Sequence, residues 1–251
     1  MDLILRIVML PVLLLQAIWV RSNARKLPEP DGPRVGLLNC AAADHTVRLL
    51  ITGDSSAAGV GAPHQDEALS GHLTRALQKT ISVDWTLAAT TGHRTADTLA
   101  RLKALPRQRF DIVVVALGVN EVTRFTAART FHMEQSSLID LLHDRFEAKA
   151  VVLSGVPPMA QFPALPNPLA WCLGRHADRL DAVLRALAAK RETLVHLPCP
   201  IALTDEVMAS DGYHPSAAGY AVWAEAIMAA LHQNAPSIMH DAFAAAEMSS
   251  R

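Results

Sequence analysis

The chain has 251 residues, 51% hydrophobic and 19% charged, with a formal net charge of −1. That is enough apolar chain for one sizeable domain with a full core, and it argues against extensive disorder. Acids and bases are mixed, with no basic stripe interleaved with aromatics, which excludes nucleic acid as a partner.

In chain order, residues 3–20 (LILRIVMLPVLLLQAIWV) are apolar apart from Arg6 and Gln16, and Arg21, Arg25 and Lys26 follow. Three readings fit. A signal peptide wants positive charge ahead of its apolar stretch, whereas the charge here lies mainly behind it. A spanning anchor needs about 20 apolar residues, and this run is marginal. The third reading is a helix lying at a membrane surface or against the domain. Membrane association through residues 3–20 is the favoured expectation. The basic C-terminal flank would then hold the domain on the cytoplasmic side, with a secreted or periplasmic protein as the alternative. Residues 1–26 are thus an anchor- or signal-like segment. Residues 27–46, opening with LPEPDGP, read as a linker, 47–232 as the folded domain, and 233–251 as a weakly structured tail.

Within the domain, strands alternate with helices. Strands are expected at 47–52, 83–89, 111–117, 150–156 and 193–198. Helices are expected at 66–80, 95–105, 126–146, 168–190 and 216–232. The run DIVVVAL (111–117) is apolar throughout, as a central parallel strand covered on both faces should be. The alternation predicts an α/β domain whose mainly parallel sheet has helices on both faces, with ligands bound beyond the carboxyl ends of the strands. One connection, 156–168, is long, rich in proline and carries Phe162. Such a loop is either a rigid crossover or a substrate loop.

The residues that follow the strands carry the chemistry. Ser55, in GDSS, stands after the first strand among residues too small to cover its hydroxyl. A serine there is either a helix N-cap or a nucleophile. Gly92, after the second strand, is either a plain turn residue or a place where a backbone N–H faces a substrate. Asn120, after the third, either caps the next turn or adds a side-chain N–H to two backbone donors, Ser55 and Gly92, making an oxyanion hole. Asp211 and His214, in DGYHP before the last helix, are either a local turn with a surface histidine or a carboxylate folded back onto Nδ1–H, leaving Nε2 to take a serine proton. All of these fall along one rim of one sheet.

These blocks resemble the SGNH hydrolases, the GDSL-like lipase/esterase superfamily: GDSS for the first, Gly92 for the second, GVNE for the third and DGYHP for the fifth. The resemblance covers about residues 47–232. It implies a flavodoxin-like three-layer α/β/α sandwich on a five-stranded parallel sheet. It also implies a Ser55–His214–Asp211 triad, an oxyanion hole from Ser55, Gly92 and Asn120, and hydrolysis of a small-molecule acyl ester or thioester without metal or organic cofactor. A carbohydrate O-acetyl esterase, or a non-catalytic membrane-tethered module on the same fold, are the alternatives. Two positions depart from the family pattern: Ser56 replaces a frequent leucine, and Glu121 stands where aspartate usually follows the asparagine. Asp54, beside the serine, is given a structural role. The first strand-to-helix turn has neither GxGxxG nor a P-loop, so nucleotide binding is set aside. The three cysteines, Cys40, Cys172 and Cys199, form no disulfide framework and have no zinc-ligand spacing.

Overall fold

The computed structural model describes residues 2–41, 43 and 45–235, with side chains from Met9 onward. At its centre is a six-stranded sheet: β1 (Val35–Leu38), β2 (Thr46–Gly53), β3 (Ser82–Ala89), β4 (Ile112–Ala116), β5 (Ala150–Ser154) and β6 (Leu194–Leu197), in the order β1-β3-β2-β4-β5-β6. Neighbours pair in parallel except β1, which runs antiparallel to β3.

The five expected strands are present, and β1 corrects their number. It lies inside the stretch read as a linker. Val35 and Leu37 of β1 are exposed, and the strand is only four residues long, too short for its apolar residues to mark it out as a strand. Proline and glycine just before it hide it further. The segment is nonetheless tied to the sheet: Leu87 N–H donates to the Arg34 carbonyl at 2.7 Å, and Arg34 pairs with Glu29 at 2.7 Å.

Side chains of β4 alternate between two cores, as a doubly covered strand must. Ile112, Val114 and Ala116 join Leu69, Leu73 and Leu77 of α3 (Leu69–Gln78) and Tyr220 and Ile227 of α8 (Ala217–Asn234). Val113 and Val115 join Leu102 of α4 (Thr95–Ala104) and Leu138, Ile139 and Leu142 of α6 (Ala128–Asp144). Helix α7 (Leu169–Ala188) packs along α6 and β6. The result is the expected α/β/α layering. Without β1 the order is that of a flavodoxin-like sheet, in which the chain goes from β2 to one side and then returns to the other. The crevice at that reversal opens beyond the carboxyl ends of β2 and β4, where ligands bind in such sheets.

The N-terminal segment forms α1 (Asp2–Asn23). Its Met9, Leu13, Gln16 and Val20 make a half-buried stripe at helical spacing. Gln16 bridges to the start of α7, donating to the Asn167 carbonyl at 2.7 Å and accepting from Leu169 N–H at 3.0 Å. No helix among the described residues is long and apolar enough to cross a membrane. The expectations for the side chains of residues 3–8 and for residues 236–251 lie outside the described residues; α8 itself runs to Asn234.

Candidate active site

Strand β2 ends at Gly53, where φ is +149° and a Cβ would stand 2.0 Å from the Ala116 carbonyl oxygen. Only glycine lets β2 and β4 stay paired to their last residue at this approach. Asp54 follows, its N–H donating to that same carbonyl at 3.1 Å. Asp54 Oδ1 then accepts the Ser56 N–H at 3.0 Å and so caps the single-turn helix α2 (Ser55–Ala58). The aspartate is the N-cap, which leaves Ser55 as the first helical residue with its hydroxyl uncommitted to capping.

The histidine arrives from the other end of the chain. Ala209 N–H donates to the His214 carbonyl at 2.8 Å and Ser216 N–H to the Val207 carbonyl at 2.9 Å, bracketing a short antiparallel bridge between Met208 and Pro215. At Gly61 a Cβ would lie 2.2 Å from the Pro215 carbonyl oxygen, so the turn after α2 packs directly on the His214 loop. These contacts bring His214 Nε2 to 2.8 Å from Ser55 Oγ and Nδ1 to 2.6 Å from Asp211 Oδ2. Asp211 Oδ1 accepts the Tyr213 and His214 backbone N–H groups at 2.9 and 3.0 Å. Burial alone would raise the Asp211 carboxyl. The His214 ring and these two amides outweigh it and hold it below its ordinary value.

Asn120 lies in α5 (Val119–Thr123), directly beyond β4. Its Nδ2 donates to the His93 carbonyl at 3.0 Å and to Asp54 Oδ2 at 3.3 Å. The asparagine thus joins the loop after β3 to the carboxylate beside Ser55. Gly92 sits in that loop, and a Cβ there would meet nothing within 4 Å. No backbone acceptor among the described residues takes the N–H of Ser55 or of Gly92.

Asp54 is buried, and burial pushes its carboxyl up to about 7. The Ser56 amide opposes that shift, and the Glu121 charge adds to it. Glu121 has no exposed surface, and its Oε1 accepts both the N–H and the hydroxyl of Thr95, at 2.7 and 2.6 Å. It clamps the start of α4 to α5, the helix that carries Asn120. Sequence reasoning noted Glu121 only as a departure from a pattern. The available signal was a carboxylate next to Asn120 in an otherwise apolar stretch.

Phe162 is buried and packs edge-on against Tyr213 at 5.0 Å. With Leu117, Ile201, Leu203 and Met208 it lines an apolar pocket of about 60 Å³ that Ser55 and His214 also line. A wider cleft of about 680 Å³ runs from His214 and Asn120 to the C-terminal half of α1. Among the described residues no cluster of three or more His, Cys, Asp or Glu side chains is placed to hold a metal ion. The three cysteines are free thiols.

A family model described as the GDSL-like lipase/acylhydrolase family matches residues 51–222. The chain belongs to that family. A curated relative, a GDSL-like esterase of Mycobacterium tuberculosis, is 25% identical over 197 residues. The match takes in 74% of this chain and 62% of the relative's length. Among solved structures, the protein TesA matches with a TM-score of 0.57 and 26% identity over 73% of this chain and 97% of its own. The psychrotrophic esterase EstA from Pseudoalteromonas sp., in a structure inhibited by monoethylphosphonate, has a TM-score of 0.56 at 18% identity over 74% of this chain and 97% of its own. A carbohydrate esterase family 2 enzyme of Corynascus has a TM-score of 0.59 at 17% identity over 80% and 68%. The last two likenesses concern the fold.

Proposed function

We propose that the chain hydrolyses carboxylic esters through an acyl-enzyme on Ser55. The observation that carries this reading is the continuous hydrogen-bonded line from Asp211 through His214 to Ser55 Oγ, at 2.6 and 2.8 Å. Ser55 Oγ attacks the ester carbonyl while His214 Nε2 takes its proton. Asp211 holds the other ring nitrogen and stabilises the imidazolium that results. The tetrahedral oxyanion takes the free N–H groups of Ser55 and Gly92. It also takes one Asn120 N–H, released from the longer of its two bonds, the one to Asp54. His214 returns the proton to the departing alcohol oxygen. A water then attacks the acyl group with His214 as base, releasing the acid and restoring Ser55. Membership of the family supports the reading.

The pocket beside Ser55 suggests the acyl group. A cavity of about 150 Å³ holds benzene, so on that scale about 60 Å³ holds two or three carbons. The acid side is then short, from acetyl to about butyryl. The size of the pocket also favours a second reading, the O-acetyl esters of a carbohydrate, with the sugar in the open cleft. Hydrolysis of p-nitrophenyl acetate, butyrate, octanoate and palmitate by wild type and Ser55→Ala tests both readings. The expected result is a kcat/KM that falls beyond butyrate and is abolished by Ser55→Ala. Equal turnover by the Ser55→Ala variant would overturn the Ser55 acyl-enzyme, and no turnover of any of these esters by wild type would leave a non-catalytic binding module as the better account.

A further inference from the structure

Helix α1 has two apolar faces, and the domain uses one of them. Leu13 and Val20 pack against the core and Gln16 is bonded to the start of α7. On the other side Leu10, Val12, Leu14, Leu15, Ile18 and Trp19 are all exposed, between 46 and 69%. Most of the exposed large apolar side chains of the described chain are therefore on this one helix. Residues 9–20 carry no charge, and the helix then runs directly into Arg21, Arg25 and Lys26, all exposed. A helix apolar all round is covered on both sides in its working state.

What covers the open face is indicated by charge and by position. The C-terminal half of α1 forms a wall of the wide cleft that leads to His214 and Asn120, with Trp19, Arg21 and Arg25 on that wall. Across the cleft stand Arg124 and Phe125, Phe125 being 54% exposed. The cleft mouth thus repeats the composition of the helix: an aromatic side chain beside arginines. Among the described residues the only carboxylate lining it, Asp211, is turned onto His214. Apolar and aromatic side chains rimmed by cations match a bilayer surface bearing anionic headgroups. A second copy of this chain would bring a like-charged rim against this one.

We propose that α1 is an interfacial helix: its open face lies in the surface of an anionic bilayer and brings the mouth of the catalytic cleft to that surface. The docked stripe keeps the helix along the domain, so the domain sits flat on the lipid rather than hanging from a spanning anchor. Esters partitioned into the bilayer then reach Ser55 along the cleft. This last step rests on the esterase reading; the docking does not.

Co-sedimentation of the full chain with vesicles of phosphatidylcholine alone, and of phosphatidylcholine with phosphatidylglycerol, tests the docking. The Ser55→Ala variant is run alongside, so that loss of hydrolysis and loss of docking are separate readouts. Binding is expected on the anionic vesicles and weakly on the neutral ones, falling about fivefold for each basic residue whose contact salt screens out. Leu15→Glu with Ile18→Glu, on the open face and away from the cleft wall, should abolish binding and leave hydrolysis of soluble p-nitrophenyl acetate unchanged. Three results overturn the proposal: no binding to either vesicle; binding that survives alkaline carbonate extraction, which indicates a spanning anchor; or a dimer by light scattering that the double variant dissolves, which indicates a second copy on this face.

Discussion

Asp211→Asn gives a sharp test of the relay because the structure dictates how the new amide must sit. Asp211 Oδ1 accepts two backbone N–H groups, from Tyr213 and His214 at 2.9 and 3.0 Å. These donors require an acceptor, so the asparagine oxygen is held at that position. Its NH₂ then occupies the place of Oδ2, which now lies 2.6 Å from His214 Nδ1. An N–H facing Nδ1 turns that ring nitrogen into an acceptor and moves the ring proton to Nε2. The nitrogen beside Ser55 Oγ can then no longer take a proton. The fold keeps its shape and both amide bonds, while the base is lost. A change of this kind lowers kcat on the order of 10⁴-fold, or about 5 kcal/mol in the barrier. The assay is kcat/KM for p-nitrophenyl acetate, with thermal unfolding recorded to show that the variant folds. A folded variant within tenfold of wild type would refute the relay.

Three further outcomes follow. Burial raises the Asp54 carboxyl from 3.8 to about 7, so the folded state favours its protonated form. A group raised in this way contributes stability that is complete below about pH 4 and is lost as pH rises to about 7. Between pH 5 and pH 8 the wild type should therefore lose on the order of 3 kcal/mol through this group, and Asp54→Asn should lack that loss in denaturant titrations at the two values. Glu121→Ala strands the Thr95 N–H and hydroxyl in the core and should cost about 3 kcal/mol, with a fall in kcat. Glu121→Gln keeps the acceptor and should recover most of both in the same assays. Phe162→Ala removes one wall of the apolar pocket and should cost about 3–5 kcal/mol of stability. It should also shift the preferred p-nitrophenyl ester to a longer chain, and an unchanged chain-length profile would place the acyl group elsewhere.

The elements that sequence made legible are those whose physics is local. DIVVVAL reads as a doubly covered strand because every residue is apolar, and in the structure Ile112–Ala116 is buried at each position. The blocks around Ser55, Gly92, Asn120 and Asp211–His214 follow strands or precede the last helix, so the topology alone brings them to one rim. Strand β1 was illegible for the opposite reason. Its four residues are half exposed at the sheet edge and follow LPEPDGP, so neither alternation nor length marks them. The clamp from Glu121 to Thr95 and the bond from Asn120 to Asp54 span 26 and 66 residues, and residue type says nothing about such partners. For Phe162, sequence located the loop but not its burial, because the ring that packs on it, Tyr213, comes from a distant part of the chain. For α1, sequence offered packing against the domain as one reading, but its nearly uniform apolarity did not mark which face packs; the core contacts of Leu13 and Val20 and the bonds of Gln16 to Asn167 and Leu169 do.

The central claim is that the Ser55 oxygen is a nucleophile made reactive by the ring 2.8 Å away. Incubation with a fluorophosphonate, followed by peptide mass spectrometry, measures it without any assumption about substrate. The account predicts one phosphonyl group per chain, carried on the peptide containing Ser55 and missing from Ser55→Ala, with labelling slowed severely in His214→Ala. A chain that stays unmodified, or that carries the adduct on another residue, would contradict it.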